Sequence, residues 1–340
     1  MPADLPPTYR AMVLPRRGAA LAAAERATPR PEGHEVLLRV AACAICRTDL
    51  HVVDGELGRG ILPVVPGHQI VATVVAAGPD AAEVRVGARV GVSWLASACG
   101  TCDQCRAGRE NLCAAARFTG CDVDGGFAEY VMADARFCLP LPDGYGDVEA
   151  APLLCGGLIG YRALRMAGEP RRLALYGFGS AAHMLIQVAR HRGASVYAFT
   201  RPGNEEGQSF ARRLGAAWAG DSTLPGPTPL DAAIIFAPVG QLVPLALAAV
   251  RPGGTVVCAG IHMSDIPSFP YSLLWQERSI RSVANLTRED GLEFMRLVGE
   301  THIDVETEVH PLVDADLALS RLRGGQVRGT AVLVPTAPAG

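Results

Sequence analysis

Four cysteines fall within fifteen residues, in Cys99-Gly-Thr-Cys102-Asp-Gln-Cys105-Arg-Ala-Gly-Arg-Glu-Asn-Leu-Cys113. Gaps of two, two and seven residues let a loop folded over itself bring four thiolates to one point. Such a set closes a tetrahedral, structural zinc site; an iron–sulfur cluster is the other group that four thiolates serve. A second stretch, Cys43-Ala-Ile-Cys46-Arg47-Thr48-Asp49-Leu50-His51, packs thiol, guanidinium, hydroxyl, carboxylate and imidazole side by side. Side chains this mixed are poor core material. Cys46, with His68 of Pro66-Gly67-His68-Gln69 and Cys155 of Leu154-Cys155-Gly-Gly, offers two thiolates and one imidazole. That is the donor set of a catalytic zinc whose fourth position stays open. Spacing alone does not join these three, and each taken singly also reads as a packing residue.

A third pattern is Gly177-Phe-Gly179-Ser-Ala-Ala182, which fits G-x-G-x-x-G/A. It sits between an apolar run and a segment with helical apolar spacing, the context of a dinucleotide-binding turn. Glycine lets the backbone turn tightly and approach a pyrophosphate, whose charge meets the helix N-terminus. The next strand ends Phe199-Thr200-Arg201, where an acid would bind the 2′-hydroxyl of NAD. A hydroxyl and a guanidinium suit a 2′-phosphate instead, which favours NADP(H) over NAD(H). Glu205 and Glu206 lie close by and compete with that reading.

The elements that must position these groups fall into two kinds. Through about residue 150, glycine and proline recur between short β-branched runs: Glu35-Val-Leu-Leu-Arg-Val-Ala-Ala, Val71-Ala-Thr-Val-Val, Ala88-Arg-Val-Gly-Val and Phe127-Ala-Glu-Tyr-Val-Met. They predict a β-rich, irregular domain. From Val148 the character changes. Small apolar helical segments lead to the strand Leu173-Ala-Leu-Tyr. Further strands follow at Ser195-Val-Tyr-Ala-Phe, Ala232-Ala-Ile-Ile-Phe, Gly254-Thr-Val-Val-Cys-Ala and Ser279-Ile-Arg-Ser-Val, with helices between them. Alternation of this kind predicts an α/β fold with a parallel sheet covered on both faces. An amphipathic helix over 290–298 and a tail of short strands and a helix complete the chain. The tail is too short to fold alone and is expected to return to the first domain.

At 340 residues, two domains are favoured over one. A 49% apolar content supplies a core, and a net charge of −3 without a basic run argues against nucleic acid or anionic membrane as the main partner. Met1–Pro7 holds no apolar signal core, and no run approaches the roughly 20 apolar residues of a membrane span. A cytoplasmic location is the resulting expectation. Ten cysteines there point to metal or catalysis rather than disulfides.

Taken together, the motifs Cys46-x-Thr-Asp-x-His51, Pro-Gly-His68, the four-cysteine loop, Cys155-Gly-Gly and the glycine-rich turn resemble those of the zinc-dependent alcohol dehydrogenases of the medium-chain dehydrogenase/reductase superfamily, nearest to the bacterial propanol-preferring subgroup. The family's catalytic zinc is itself the type example of a two-cysteine, one-histidine set. The resemblance runs from about Tyr9 to Pro335. It implies a GroES-like catalytic domain over 1–153 and 289–340 and a Rossmann, doubly wound domain over 154–288. It implies catalytic zinc on Cys46, His68 and Cys155, structural zinc on Cys99, Cys102, Cys105 and Cys113, and Asp49 behind the catalytic ligands. Thr48 would bond the substrate oxygen and start a proton relay through the cofactor ribose to His51, and Arg47 would lie near the pyrophosphate. Gly177, Gly179, Ala182, Thr200 and Arg201 complete the cofactor set.

The implied reaction is reversible hydride transfer between a primary or secondary alcohol and NAD(P), in a homodimer or homotetramer. Milder readings stand beside these: Asp49 as a helix cap, Thr48 or His51 as local backbone partners, Trp94 as pocket wall or core. Gln69 departs from the family's usual Gly-His-Glu, and Cys43 reads as a small buried residue. A zinc-free enoyl or quinone reductase of the same superfamily and a non-catalytic zinc-binding protein are the alternatives.

Overall fold

The computed structural model describes residues 5–335; the expectations about Met1–Pro7 and the end of the tail fall partly outside them. The chain divides into two units. One comprises the residues through Cys155 together with 286–300 and those from 305 onward; the other comprises 156–285 and 301–304.

The first unit is built on a seven-stranded sheet. Its order is Thr307–Pro311, Thr330–Val334, Glu35–Ala44, Gln69–Ala77, Arg89–Val92 and Leu139–Pro140, with Tyr130–Asp134 also pairing with Glu35–Ala44. Glu35–Ala44 is central and buried along most of both faces, which is why it reads as a continuous apolar run rather than an alternating one. Its pairing with Gln69–Ala77 shifts register between Leu37 and Leu38 and between Val40 and Ala42, irregularities of the kind that bend a strand. The last strand comes from the tail: Val332 stands opposite Ala44 and Leu333 opposite Cys43, and the Ile45 N–H donates to the Ala331 carbonyl at 2.8 Å. Residue 46 thus leaves a strand held from both sides.

Two strands differ from expectation. The strand expected from Phe127 begins only at Tyr130. Phe127 instead donates its N–H to the Pro66 carbonyl at 2.9 Å and accepts from Met12 at 2.8 Å, a bridging loop that its apolar character does not betray. Ala22–Ala27, poor in β-branched residues, forms a strand because Thr8–Val13 pairs with it along its whole length.

The second unit is a six-stranded, wholly parallel sheet ordered Trp218–Asp221, Ser195–Thr200, Arg172–Tyr176, Leu230–Ile235, Val250–Cys258 and Ser279–Ser282. The strand first in sequence lies inside, so the order reverses at its C-terminal end. The Tyr176 and Phe199 rings stack there at 4.3 Å. The helices Gly156–Ala167, Ser180–His191, Glu205–Arg213 and Leu242–Ala249 complete this doubly wound α/β unit.

Candidate active site

Cys46, His68 and Cys155, scattered in sequence, meet in the first unit. Cys46 Sγ lies 3.5 Å from His68 Nε2 and 3.8 Å from Cys155 Sγ. Zinc–sulfur bonds of about 2.3 Å at tetrahedral angles require sulfurs about 3.8 Å apart. The set therefore fits the ion without rearrangement. The Cys99, Cys102, Cys105 and Cys113 sulfurs likewise lie 3.5–3.9 Å apart along the pairs in contact. In each set the ligand atoms fall within 4.8 Å of one another. The four-cysteine loop rests on Leu95, Ala116 and Phe137. N–H groups help it hold charge: Cys102 N donates to Cys99 Sγ at 3.4 Å, and with the Thr101 backbone this brings the Cys99 thiol down to about 6.

Local backbone chemistry places the three ligands of the other set. His68 follows Gly67, whose φ is +97° and whose added Cβ would run into Phe127 and Cys43. Glycine alone lets the chain pass between them. Cys43 is thus packing material, fully buried in the main core. Cys46 caps the helix Arg47–Asp54: its sulfur accepts the Thr48 N–H at 3.4 Å, while Asp49 Oδ2 accepts the Cys46 N–H at 2.8 Å. This is a capping box with a thiol in the serine position. The other oxygen, Oδ1, meets His68 Nδ1 at 3.0 Å. Asp49 therefore caps the helix and at the same time bonds the candidate ligand His68, the arrangement of a carboxylate placed behind a metal-binding histidine.

The electrostatics fit a cation. Burial opposes charge on His68, yet Asp49 and Cys46 outweigh it and raise the imidazole to about 10. The Cys155 hydrogen bond, opposed by burial and helped by His68, holds the Cys46 thiol well below its ordinary value. Cys155 is pushed well up by the same hydrogen bond and by burial. A thiol held low beside an imidazole held high is a polarised donor set, and a cation bound there would favour the deprotonated form of each donor.

Trp94 belongs to the main core and packs against this set. Its ring stands edge-on to His68 at 5.1 Å and stacks on Phe118 at 5.1 Å. Gln69 is buried, and its Nε2 has no hydrogen-bond partner. Thr48 is buried and Arg47 exposed on the same helix. His51, in its last turn, pairs through Nδ1 with Glu56 Oε2, a partner that the sequence reading missed. The visible signal is the Asp54-Gly55-Glu56 helix ending, with a carboxylate just beyond the glycine.

The candidate cofactor residues other than Arg47 lie in the second unit. Gly177 has φ +87°, and a Cβ there would stand 2.9 Å from the Ala237 nitrogen. Its own N–H reaches the Phe199 carbonyl at 2.8 Å. Gly179 caps the helix Ser180–His191, and Ala182 is fully buried beneath the turn. Thr200 departs from the reading that paired it with Arg201. It is buried, donates to the Gly220 carbonyl at 3.4 Å and accepts from Gln208 Nε2 at 3.2 Å. Arg201 is exposed, and its side chain makes no hydrogen bond or ion pair among the described residues, although its carbonyl accepts from the Asn204 N–H at 3.1 Å. The reading also passed over Asp221, opposite Thr200 in the next strand; its Oδ1 is taken up by Gln208 at 2.9 Å and the Gly203 N–H at 3.3 Å.

Comparison with known proteins follows the same division. The alcohol dehydrogenase GroES-like domain family matches residues 32–143, and the zinc-binding dehydrogenase family matches 182–300. A Mycobacterium tuberculosis protein named probable alcohol dehydrogenase AdhA is 47% identical, over 90% of each chain. Acetophenone reductase from Geotrichum candidum, solved with NAD, superposes with a TM-score of 0.87 at 27% identity, covering 98% of each chain. A putative zinc-binding dehydrogenase from Sinorhizobium meliloti bound to NADP gives 0.85 at 26% identity, over 96% of this chain and 99% of the other.

Proposed function

From the premise that the chain belongs to the zinc-type alcohol dehydrogenases of the medium-chain superfamily, and is an oxidoreductase of alcohols and aldehydes, we propose that it holds two zinc ions, works with NADP(H) in preference to NAD(H), and acts on primary or secondary alcohols. The observation that carries this reading is the meeting of Cys46, His68 and Cys155, with Asp49 behind the imidazole. Neither a zinc-free reductase nor a non-catalytic zinc protein accounts for that set in a chain that also carries a dinucleotide turn.

When bound, zinc supplies Lewis-acid polarisation of the substrate oxygen, and the nicotinamide supplies the hydride acceptor or donor. The chain's own residues do the rest. Cys46, His68 and Cys155 bind the catalytic ion; Cys99, Cys102, Cys105 and Cys113 bind the structural one. Asp49 keeps the His68 proton on Nδ1, so Nε2 faces the thiols. Thr48 accepts the proton of the substrate hydroxyl as its own hydroxyl proton passes on toward His51, whose imidazole takes it up for exchange with solvent. Arg47 draws the cofactor pyrophosphate, whose other charge meets Gly177, Gly179 and the N-terminus of the helix Ser180–His191.

Support for NADP(H) comes from Arg201, exposed at the end of the second strand, and from Asp221, already engaged. Thr200 contributes by holding that strand end rather than by offering its hydroxyl. Free thiols at all ten cysteines suit a reducing, cytoplasmic setting, and no helix among the described residues is long and apolar enough to cross a membrane. The end strand Ser279–Ser282, with Tyr271 at 68% and Trp275 at 59% exposure near it in sequence, supports a homo-oligomer, dimer or tetramer.

The deciding experiment is metal analysis joined to steady-state kinetics with NAD(H) and NADP(H) across short, branched and aromatic alcohols. Two zinc per chain and a higher kcat/KM with NADP+ are expected. One zinc per chain or none, or a clear preference for NAD+, refutes the corresponding half.

A further inference from the structure

We propose that Glu56 is a positioning residue for His51: it fixes the imidazole as the Nδ1–H tautomer, so that Nε2 carries the lone pair that takes up a proton. The proposal rests on the reading of His51 as the outer end of the proton path.

The geometry begins with the end of the helix Arg47–Asp54. Gly55 follows in the left-handed region, at φ +77°, and turns the chain back on itself. The Glu56 N–H then donates to the His51 carbonyl at 3.0 Å, closing the helix end in the manner of a Schellman cap. The same turn brings the Glu56 side chain against the imidazole, Oε2 to Nδ1. Glu56 is therefore tied to His51 twice, by main chain and by side chain. Gly55 is demanded here on two counts. A side chain would strain the backbone, and its Cβ would collide with Arg17.

The chemistry follows from the donor inventory. An ionised carboxylate only accepts, so the shared proton sits on Nδ1. The neutral ring then has its lone pair on Nε2. When Nε2 takes up a proton, the resulting imidazolium is already paired with a carboxylate. No heavy atom need move, and the charge is met as it forms.

The other charged groups at this corner do not compete for the role. Asp54, on the same helix end, is gripped by Arg323 of the helix Ala315–Arg323 at 2.6 and 2.8 Å. Arg323 also holds the Asp54 carboxyl below its ordinary range, with His51 a smaller influence. Arg17 packs over Gly55 from the N-terminal side of the unit. Glu56 is the carboxylate in contact with Nδ1. His51 is 15% exposed and Glu56 42%, so the pair spans the step from the protein to solvent.

The test uses the zinc-loaded enzyme with 15N-labelled histidine. His51→Gln assigns the His51 signals by their loss. In the wild type, His51 should show a protonated Nδ1 and a pyridine-like Nε2. Glu56→Gln offers an amide N–H as well as a carbonyl, and should raise the Nε2–H population. Its kcat/KM should fall roughly 10-fold, with a displaced pH profile and unchanged zinc content. Glu56→Asp should restore part of both. An Nε2–H tautomer in the wild type overturns the proposal, as does a Glu56→Gln enzyme with unaltered tautomer and pH profile. A His51→Gln enzyme with full kcat/KM would instead sink the proton-path reading, and the catalytic consequence of the tautomer with it, even where the His51 signals respond to Glu56.

Discussion

Asp49 Oδ1 lies 3.0 Å from His68 Nδ1, and both side chains are 1% exposed. Its second oxygen takes the Cys46 N–H, so one carboxylate orients two of the three candidate ligands. Burial pushes the Asp49 carboxyl up, and the pairing with His68 opposes that shift. Asp49→Asn keeps the size and loses the charge. It should weaken zinc at the Cys46 set by roughly 10- to 100-fold while the four-cysteine site keeps its ion. Competition with a chromogenic chelator, followed to one and then two equivalents, reads this directly. Equal release of both ions would refute the assignment.

The two sulfur sites should fail differently when broken. Cys46→Ser removes a ligand of the triad and should abolish turnover, with the melting temperature little changed. Cys102→Ser opens the loop that rests on Leu95 and Phe137. Its main effect should be lost stability and a lost structural ion. Activity retained in Cys46→Ser would end the catalytic assignment.

The Arg201 side chain is exposed at the end of the second strand and has no hydrogen-bond partner among the described residues; the proposed role is to meet the cofactor's 2′-phosphate. Arg201→Ala should raise the Michaelis constant for NADP+ well above its effect on that for NAD+. Loss of a charge-assisted contact at an exposed site, about 1–2 kcal/mol, corresponds to roughly 5- to 30-fold. An unchanged ratio between the two cofactors would reject the 2′-phosphate reading.

Asp231 ties three parts of the nucleotide-binding sheet. It accepts the backbone N–H groups of Arg171 and Arg172 at 3.0 and 2.8 Å, and pairs with the Arg172 and Arg251 side chains at 3.1 and 2.8 Å. Burial alone would push the carboxyl up, but the arginine hydrogen bonds win and hold it at about 2. A carboxyl held below its unfolded value stabilises at pH above that value, and the contribution disappears as pH falls through about 2. Asp231→Asn should therefore cost about 1 kcal/mol at pH 7, discounted for partial exposure. The gap between wild type and variant in denaturant unfolding should narrow on acidification from pH 5 toward pH 2.

What the sequence disclosed and what it hid divide by distance along the chain. The four-cysteine loop is legible because all its ligands lie in one local stretch. The glycine turn is legible because strand, turn and helix are consecutive. Cys46 and Cys155 are 109 residues apart, and only their likeness to a known pattern paired them beforehand. The strand Ala22–Ala27 was invisible because its residues have little preference for strands; its partner decides it. Thr200 was misread because a hydroxyl at a strand end looks available until Gln208 and Gly220 are in place. Glu56 was hidden by the left-handed residue between it and the helix.

The pairing of Thr330–Val334 with Glu35–Ala44 fixes an order of events during synthesis. The strand that carries Cys46 into place leaves the ribosome early, but its neighbour on that edge is made almost last. The parallel sheet of the second unit, complete at Ser282, can close while the tail is still being made. Even after Cys155 has been made, about half the chain is still to be synthesised before Thr330–Val334 can cover that edge. A truncation before Thr330 should consequently release the metal site before it harms the nucleotide fold.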